Sequence, residues 1–192
     1  KIFNKIQEPN LLDFLDLVAL GTICDVVKLD TLNRAFVKQG LKIINQTKNI
    51  GLRSLIESSD IQNEIDEYHL GYVLGPKINA GGRIGDSSKG VELLLSDNPA
   101  HTLLISDELT QLNFERQKIE KNVENLAITK ITKDDNIICV NGKGWHPGVI
   151  GIVAGRLTER FFKPSIVISE SPDVCKGSAR SIPGYNIGEL IN

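Results

Sequence analysis

Asn98-Pro99 opens a run of more than thirty residues with neither glycine nor proline, and few folds accommodate such a run except as one long helix. Asparagine caps a helix well, and proline is tolerated in the first turn, where its missing N–H would have had no intrahelical partner. Ile105, Leu109, Leu112, Ile119, Val123 and Leu126 keep a spacing of three and four, interrupted by Arg116. The pattern predicts a narrow apolar stripe along a mostly polar rod. A helix of about thirty residues is about 45 Å long. Such a rod either joins two bodies or forms the arm of a coiled-coil dimer.

Beyond the rod the pattern changes. Ile137 to Val140 is a short β-branched run that reads as a buried strand. The chain then enters G-K-G-W-H-P-G-V-I-G-I-V-A-G, Gly142 to Gly155, with five glycines in fourteen residues. A helix is predicted from about Gly148 to Phe162, stopping before Pro164, and Ser165 to Ser169 reads as the next strand. The unit is strand, glycine turn, helix, strand, in an α/β arrangement. The first turn of such a helix carries unpaired N–H groups and the positive end of the helix dipole, which suits a phosphate. Ser178 and Arg180 stand two apart on an extended segment and so point to one side. A hydroxyl beside a guanidinium fork makes a phosphate clamp. The same glycines would equally serve tight turns and close helix packing, Gly151 and Gly155 being one turn apart.

Before the rod the pattern is helical. Leu11 to Leu20 starts after Asn10 with Asp13 in its first turn, and Leu32 to Gln46 places Ala35, Val37, Leu41 and Ile44 inward. Shorter helices are expected over 51–58, 68–78 and 89–95, with no strand before Ile137. Formal net charge is −2 and 41% of the residues are hydrophobic, so the chain is globular rather than coated for nonspecific nucleic-acid binding. From Ile138 onward there are six basic and four acidic residues, so this part is the more basic. The chain holds no apolar run long enough to span a bilayer and no signal peptide, and a cytoplasmic location is expected. Cys24, Cys139 and Cys175 are odd in number and far apart, which favours reduced packing thiols over disulfides or a zinc site.

Four stretches carry a specific resemblance: L-D-L-V-A-L-G-T-I-C-D-V-V-K-L from Leu15, G-P-K-I-N-A-G-G-R-I from Gly75, G-W-H-P-G-V-I-G-I-V-A-G-R-L-T-E-R-F-F-K-P from Gly144, and G-S-A-R-S-I-P-G-Y-N-I-G from Gly177. In this order they resemble the RecJ family of single-strand-specific exonucleases, members of the DHH phosphoesterase superfamily. The resemblance implies the helical C-terminal part of a DHH domain over 1–97, a long connector helix over 98–132, and most of a small α/β DHH-associated domain over 133–192. No Asp-His-His occurs, the chain holds no methionine, and it ends before the glycine-rich G-G-G-H type motif of the family. An internal fragment, inactive by itself, is expected.

The family's activity would be metal-dependent 5′-to-3′ cleavage of single-stranded DNA in repair and recombination. Asp25, flanked by Ile23, Val26 and Val27, is by itself either a paired structural aspartate or a ligand. The resemblance makes it a catalytic ligand in a site for two Mn2+ or Mg2+ ions, where paired metals activate water and stabilise the transition state. Arg83 would project from a tight turn after two glycines. By resemblance it meets the 5′ end from the first-lobe side of the connector, while Ser178 and Arg180 meet it from the far side. His146 contacts the strand or bonds within its own turn. Asn79, Trp145 and Gly148 are further DNA-contact candidates, although an indole in such a turn also packs against its own domain. Ala179 stands where the family often has glycine, and Pro147 carries no acid–base role. The implied protein is a monomer acting with a single-strand-binding protein or helicase. Alternatives are a DHH phosphodiesterase for short oligonucleotides or cyclic dinucleotides, and a non-catalytic nucleic-acid-binding module.

Overall fold

The computed structural model describes residues 10–132 and 134–191, so the expected rod-to-domain boundary at residue 133 lies outside the described residues. Asn10 starts the first helical segment, its side chain accepting the Leu12 N–H at 3.3 Å. A 3-10 turn, Leu11–Phe14, leads into α1, Leu15–Cys24, four residues longer than the spacing predicts. Asp30 caps α2, Thr31–Ile44, by accepting the Asn33 N–H at 3.0 Å. α1 and α2 touch at Gly40, where a Cβ would stand 2.1 Å from the Leu15 carbonyl oxygen. That approach puts Val37, Gly40 and Ile44 inward, leaves Leu41 half-buried and turns Ala35 out to solvent, against expectation.

Asn49 caps α3, Ile50–Glu57, through the Leu52 N–H at 2.8 Å. A π-helical stretch, His69–Leu74, continues into α4, Gly75–Ile84. Helix therefore runs through I-N-A-G-G-R-I instead of stopping near Ile78, and Arg83 sits in a helical last turn, not a tight turn. Two glycines cost such a helix about 1 kcal/mol each, offset where Ala80 and Gly81 are buried and Ile84 packs on a core. α5 is Lys89–Leu95. The rod is α6, Pro99–Ile128, a helix of 30 residues, with the Asn98 side chain accepting the Ala100 N–H at 3.0 Å and the His101 N–H at 3.3 Å. None of the described helices is long and apolar enough to cross a membrane.

Contacts divide the chain into two units. The first holds residues up to 79 together with 88–110, and the second holds 80–87 together with 111 onward. The first is helical, with Leu20, Leu52, Leu55, Leu70, Leu74, Leu93 and Ile105 in its interior. Hydroxyl pairs tie α3 to α6 there, Ser54 to Thr102 at 2.9 Å and Ser58 to Ser106 at 2.7 Å.

The second unit is built on a three-stranded sheet. β1 (Ile138–Lys143) pairs parallel with β2 (Ser165–Glu170), which pairs antiparallel with β3 (Lys176–Arg180), in the order β1-β2-β3. α7, Pro147–Phe161, crosses from β1 to β2, and a short α8, Ile187–Ile191, follows the sheet. A left-handed Phe162, φ 51°, ends α7 two residues before Pro164. Ile138, Val140, Val149, Val153, Leu157 and Val167 form the core against Val123 and Ala127 of α6. The stripe on α6 differs from expectation in two places: Leu126 is exposed with Ala127 buried instead, and Arg116 is buried. The cysteines are free, but only Cys24 packs, its Sγ lying 2.5 Å from where a Cβ on Gly75 would be; Cys139 and Cys175 are exposed. The expected packing role fails for these two because β1 turns alternate residues to solvent and Cys175 lies outside the strands.

Candidate functional site

The start of α7 gathers most of the residues singled out in the sequence. His146 is its N-cap, with Nδ1 accepting the Gly148 N–H at 3.1 Å. Because Nδ1 is an acceptor here, the neutral ring carries its proton on Nε2, leaving that atom a donor. Pro147 has no N–H, and the Val149 N–H turns back to the His146 carbonyl at 3.1 Å. The first turn thus spends its own amide donors internally, unlike the open nest that glycine content predicts. An anion held here must be met by the helix dipole and by side chains.

Those side chains arrive from two directions. On one flank the Arg83 carbonyl is seated against Gly148, where a Cβ would stand 2.0 Å from its oxygen, and Arg83 Nη1 donates to the Gly148 carbonyl at 3.5 Å. Only glycine admits that approach. On the other flank β3 presents Ser178 and Arg180 opposite Gly151. A Cβ on Gly151 would be 3.1 Å from Ser178 Oγ and 3.4 Å from Arg180 Nη2. Arg180 Nη1 donates to the Ala179 carbonyl at 2.9 Å and lies 3.5 Å from Ser178 Oγ, while the Arg180 carbonyl accepts from Thr158 Oγ1 of α7 at 3.4 Å. Gly155 has nothing within 4 Å of a Cβ position, so close packing explains Gly148 and Gly151 but not Gly155. The arrangement offers two guanidinium groups, a hydroxyl and an imidazole Nε2–H around one helix start, a donor set for a phosphate. Arg83, His146, Gly148, Ser178 and Arg180 all belong to the second unit. Arg83 was expected with the first lobe, but the glycine-tight seat on α7 carries it to the second.

Two other candidates stand apart. Trp145 is 5% exposed and packed in the core, its ring filling the space over Gly142, where a Cβ would come within 2.2 Å of Cε2. Its indole packs in the core, with Lys130 Nζ 5.6 Å from the ring centroid. Asn79 is exposed on α4.

Sequence reading missed a buried ion network between α6 and α7. Glu120 of α6 is 2% exposed and contacts both Arg116 of the same helix and Arg156 of α7. The signal was present: Arg116 interrupts an apolar stripe, with a glutamate one turn later.

In the first unit, Asp25 follows α1 as its C-cap, its N–H donating to the Gly21 carbonyl at 3.0 Å. Its apolar neighbours predicted burial, but the chain turns sharply at Val26, φ 53°, and Asp25 and Val26 are both exposed. A carboxylate in water needs no partner, so burial does not explain this residue. Among the described residues no three His, Cys, Asp or Glu side chains cluster to hold a metal ion. Mn2+ and Mg2+ take about six oxygen ligands; Asp25 is a lone carboxylate, and the described residues do not make a metal site by themselves.

Residues 124–192 match the DHHA1 domain. The chain is 41% identical over 187 residues to the single-stranded-DNA-specific exonuclease RecJ of Bacillus subtilis, covering 94% of this chain and 24% of that protein. It is 39% identical to RecJ of Escherichia coli, covering 97% of this chain and 34% of that protein. The chain thus spans about a quarter to a third of the length of these curated relatives. Among solved structures, RecJ of Thermus thermophilus in complex with Mg2+ superposes with a TM-score of 0.87 at 33% identity, over 95% of this chain and 29% of that one. An exonuclease RecJ bound to manganese superposes with a TM-score of 0.83 at 33% identity, over 95% of this chain and 46% of that one. The similarity to these RecJ proteins extends over nearly the whole chain, through the helical first unit, the rod and the sheet alike.

Proposed function

We propose that this chain is part of a metal-dependent 5′-to-3′ single-stranded-DNA exonuclease of DNA repair and recombination, and that its second unit recognises the 5′ end of the strand. The observation that carries the reading is the seating of Arg83 against Gly148 beside the packing of Ser178 and Arg180 against Gly151, which sets two arginines around one helix start. Arg83, Ser178 and Arg180 hold the terminal phosphate, His146 adds its Nε2–H, and Asn79 contacts the strand. A pocket that accepts only a free end gives polarity by geometry. In this reading residues 1–97 are the helical end of the DHH domain, 98–132 the connector and 133–192 the DHH-associated domain. Asp25 is one ligand of a Mn2+ or Mg2+ site completed by residues outside this chain, and the chain alone is inactive. The RecJ names of its relatives and their Mg2+- and manganese-bound structures support that assignment. A cytoplasmic monomer working with a single-strand-binding protein or helicase fits the same picture.

The test is the affinity of this chain for single-stranded DNA bearing a 5′-phosphate or a 5′-hydroxyl, at one fixed low salt concentration, since phosphate contacts are salt-dependent. A clear preference for the phosphate is expected; equal affinity overturns the end pocket. In the full-length protein, Asp25→Ala should abolish metal-dependent cleavage, and cleavage that persists removes Asp25 from the metal site.

A further inference from the structure

Glu120 is 2% exposed, in the last third of α6. A carboxylate at that depth costs several kcal/mol unless it is paired, and it is paired from both sides. Arg116, one turn earlier on α6, donates from Nη1 to Glu120 Oε2. Arg156, on α7, sets Nη2 against Glu120 Oε1, with Nη1 3.9 Å from Glu124 Oε2. Asn113 steadies the other edge of Arg116, its Oδ1 accepting from Nε at 3.2 Å and from Nη2 at 2.8 Å. One buried carboxylate therefore lies between α6 and α7 with a guanidinium on each side, hydrogen-bonded to Arg116 and in ion contact with Arg156, which makes no hydrogen bond to Oε1.

The link bears on the cradle through α7. Two turns before Arg156 on that helix is Gly148, the seat of Arg83, and Gly151 between them faces Ser178 and Arg180. These contacts are set at a few tenths of an ångström, so a small slide of α7 along α6 would unseat them. The arginines also feel one another. Burial lowers the basicity of Arg116, Glu120 raises it, and the charges of Arg83 and Arg156 lower it again. Arg116 and Arg156 share Glu120 and Glu124, and the charge of Arg83 is close enough to be felt at Arg116. For stability alone, apolar residues of similar volume would serve as well as such a network or better. Fixed geometry is what the network adds.

We propose that Glu120 is a positioning residue for recognition of a terminal phosphate monoester: by clamping Arg116 and Arg156 it locks α7 to α6 and sets the seats of Arg83, Ser178 and Arg180. The inference rests on the end-pocket reading above and gives it a second layer that touches no ligand. Its test uses this chain and single-stranded DNA carrying a 5′-phosphate or a 5′-hydroxyl. Glu120→Gln, which keeps shape and removes charge, should weaken binding of the phosphorylated strand about tenfold while changing the hydroxyl strand less than about threefold, as misplacing a clamp does. Glu120→Gln leaves Arg116 buried without its anion and can fail to fold, so Arg156→Gln, at a half-exposed position, breaks the same link more gently. Arg156→Gln should lose the phosphate preference while still showing a cooperative urea transition, its midpoint lowered less than that of Glu120→Gln, and Arg156→Lys, which retains the charge, should restore only part of the preference. If the wild-type chain prefers the phosphorylated strand and folded Arg156→Gln keeps that preference in full, the positioning role is overturned and the pocket stands. If the wild-type chain does not distinguish the strands, the pocket reading itself fails and this inference fails with it.

Discussion

The second unit brings five sequence-predicted residues, 83, 146, 148, 178 and 180, to the start of one helix, whereas the first leaves its metal candidate, Asp25, exposed and without a ligand cluster among the described residues. The contrast follows from what each ion demands. A phosphate is satisfied by a few donors that a compact α/β body can supply once glycines let the backbones approach. A divalent cation needs about six oxygen ligands, contributed by several stretches of chain. The proposed end recognition and the proposed metal chemistry therefore fall on different units of this chain.

The largest expected effect tests the convergence itself. Gly148→Ala puts a Cβ 2.0 Å from the Arg83 carbonyl oxygen, a backbone atom that cannot rotate away. The variant should lose about 1–3 kcal/mol of stability by urea denaturation, together with its phosphate-end preference. A stable variant that still prefers the phosphate would mean that the Arg83 seat is not needed. Next in size, Arg180→Ala should weaken the 5′-phosphate strand by about 1.5–3 kcal/mol, the worth of charge-assisted hydrogen bonds. Equal losses for both strands would reduce Arg180 to a general backbone contact. Gly155→Ala works in the opposite direction. Nothing lies within 4 Å of its Cβ position, so the substitution should stabilise α7 by about 0.5–1 kcal/mol and leave the end preference intact. A loss of binding there would show that α7 as a whole, rather than its first two glycine seats, is sensitive.

The same contrast governs how much could be read in the sequence. The rod was legible because a cap, a proline and a long run without breakers are local signals, and α6 starts and ends close to where they place it. α7 was legible for the same reason. Ser178 and Arg180 could be assigned to one side because strand parity is local too. The fate of Arg83 was not legible: two glycines read as a turn, and only the packing of Ala80, Gly81 and Ile84 keeps that stretch helical and delivers it to Gly148, 65 residues away. Asp25 misled in the opposite sense: its apolar neighbours predicted burial, and in this chain, which spans about a quarter to a third of its relatives' length, Asp25 and Val26 are exposed. Glu120 was hidden because a charge within an apolar stripe reads as a break. Its compensating partner, Arg156, is 36 residues distant and belongs to another helix.

The smallest expected effect compares the units through acid. Asp66 in the first unit is held below the ordinary carboxylate range by the backbone N–H of His69, which it accepts at 3.0 Å. Asp135 in the second is held low by Thr132, first through its side chain and then through its backbone N–H at 3.1 Å. In each case the unfolded chain takes up its proton at a higher pH than the folded one. The stabilisation is therefore complete above the ordinary aspartate value and is lost as pH falls through the folded one. Both carboxylates are at the surface, so the effects are small and screened by salt. Urea midpoints followed downward from about pH 5 should fall less steeply in Asp66→Asn and in Asp135→Asn than in the wild type. The end preference, measured near neutrality, should be untouched by either, since neither residue lies at the start of α7. If Asp135→Asn alone altered it, the acid sensitivity of the second unit and its phosphate site would be one property, and the cradle would extend to the turn before β1.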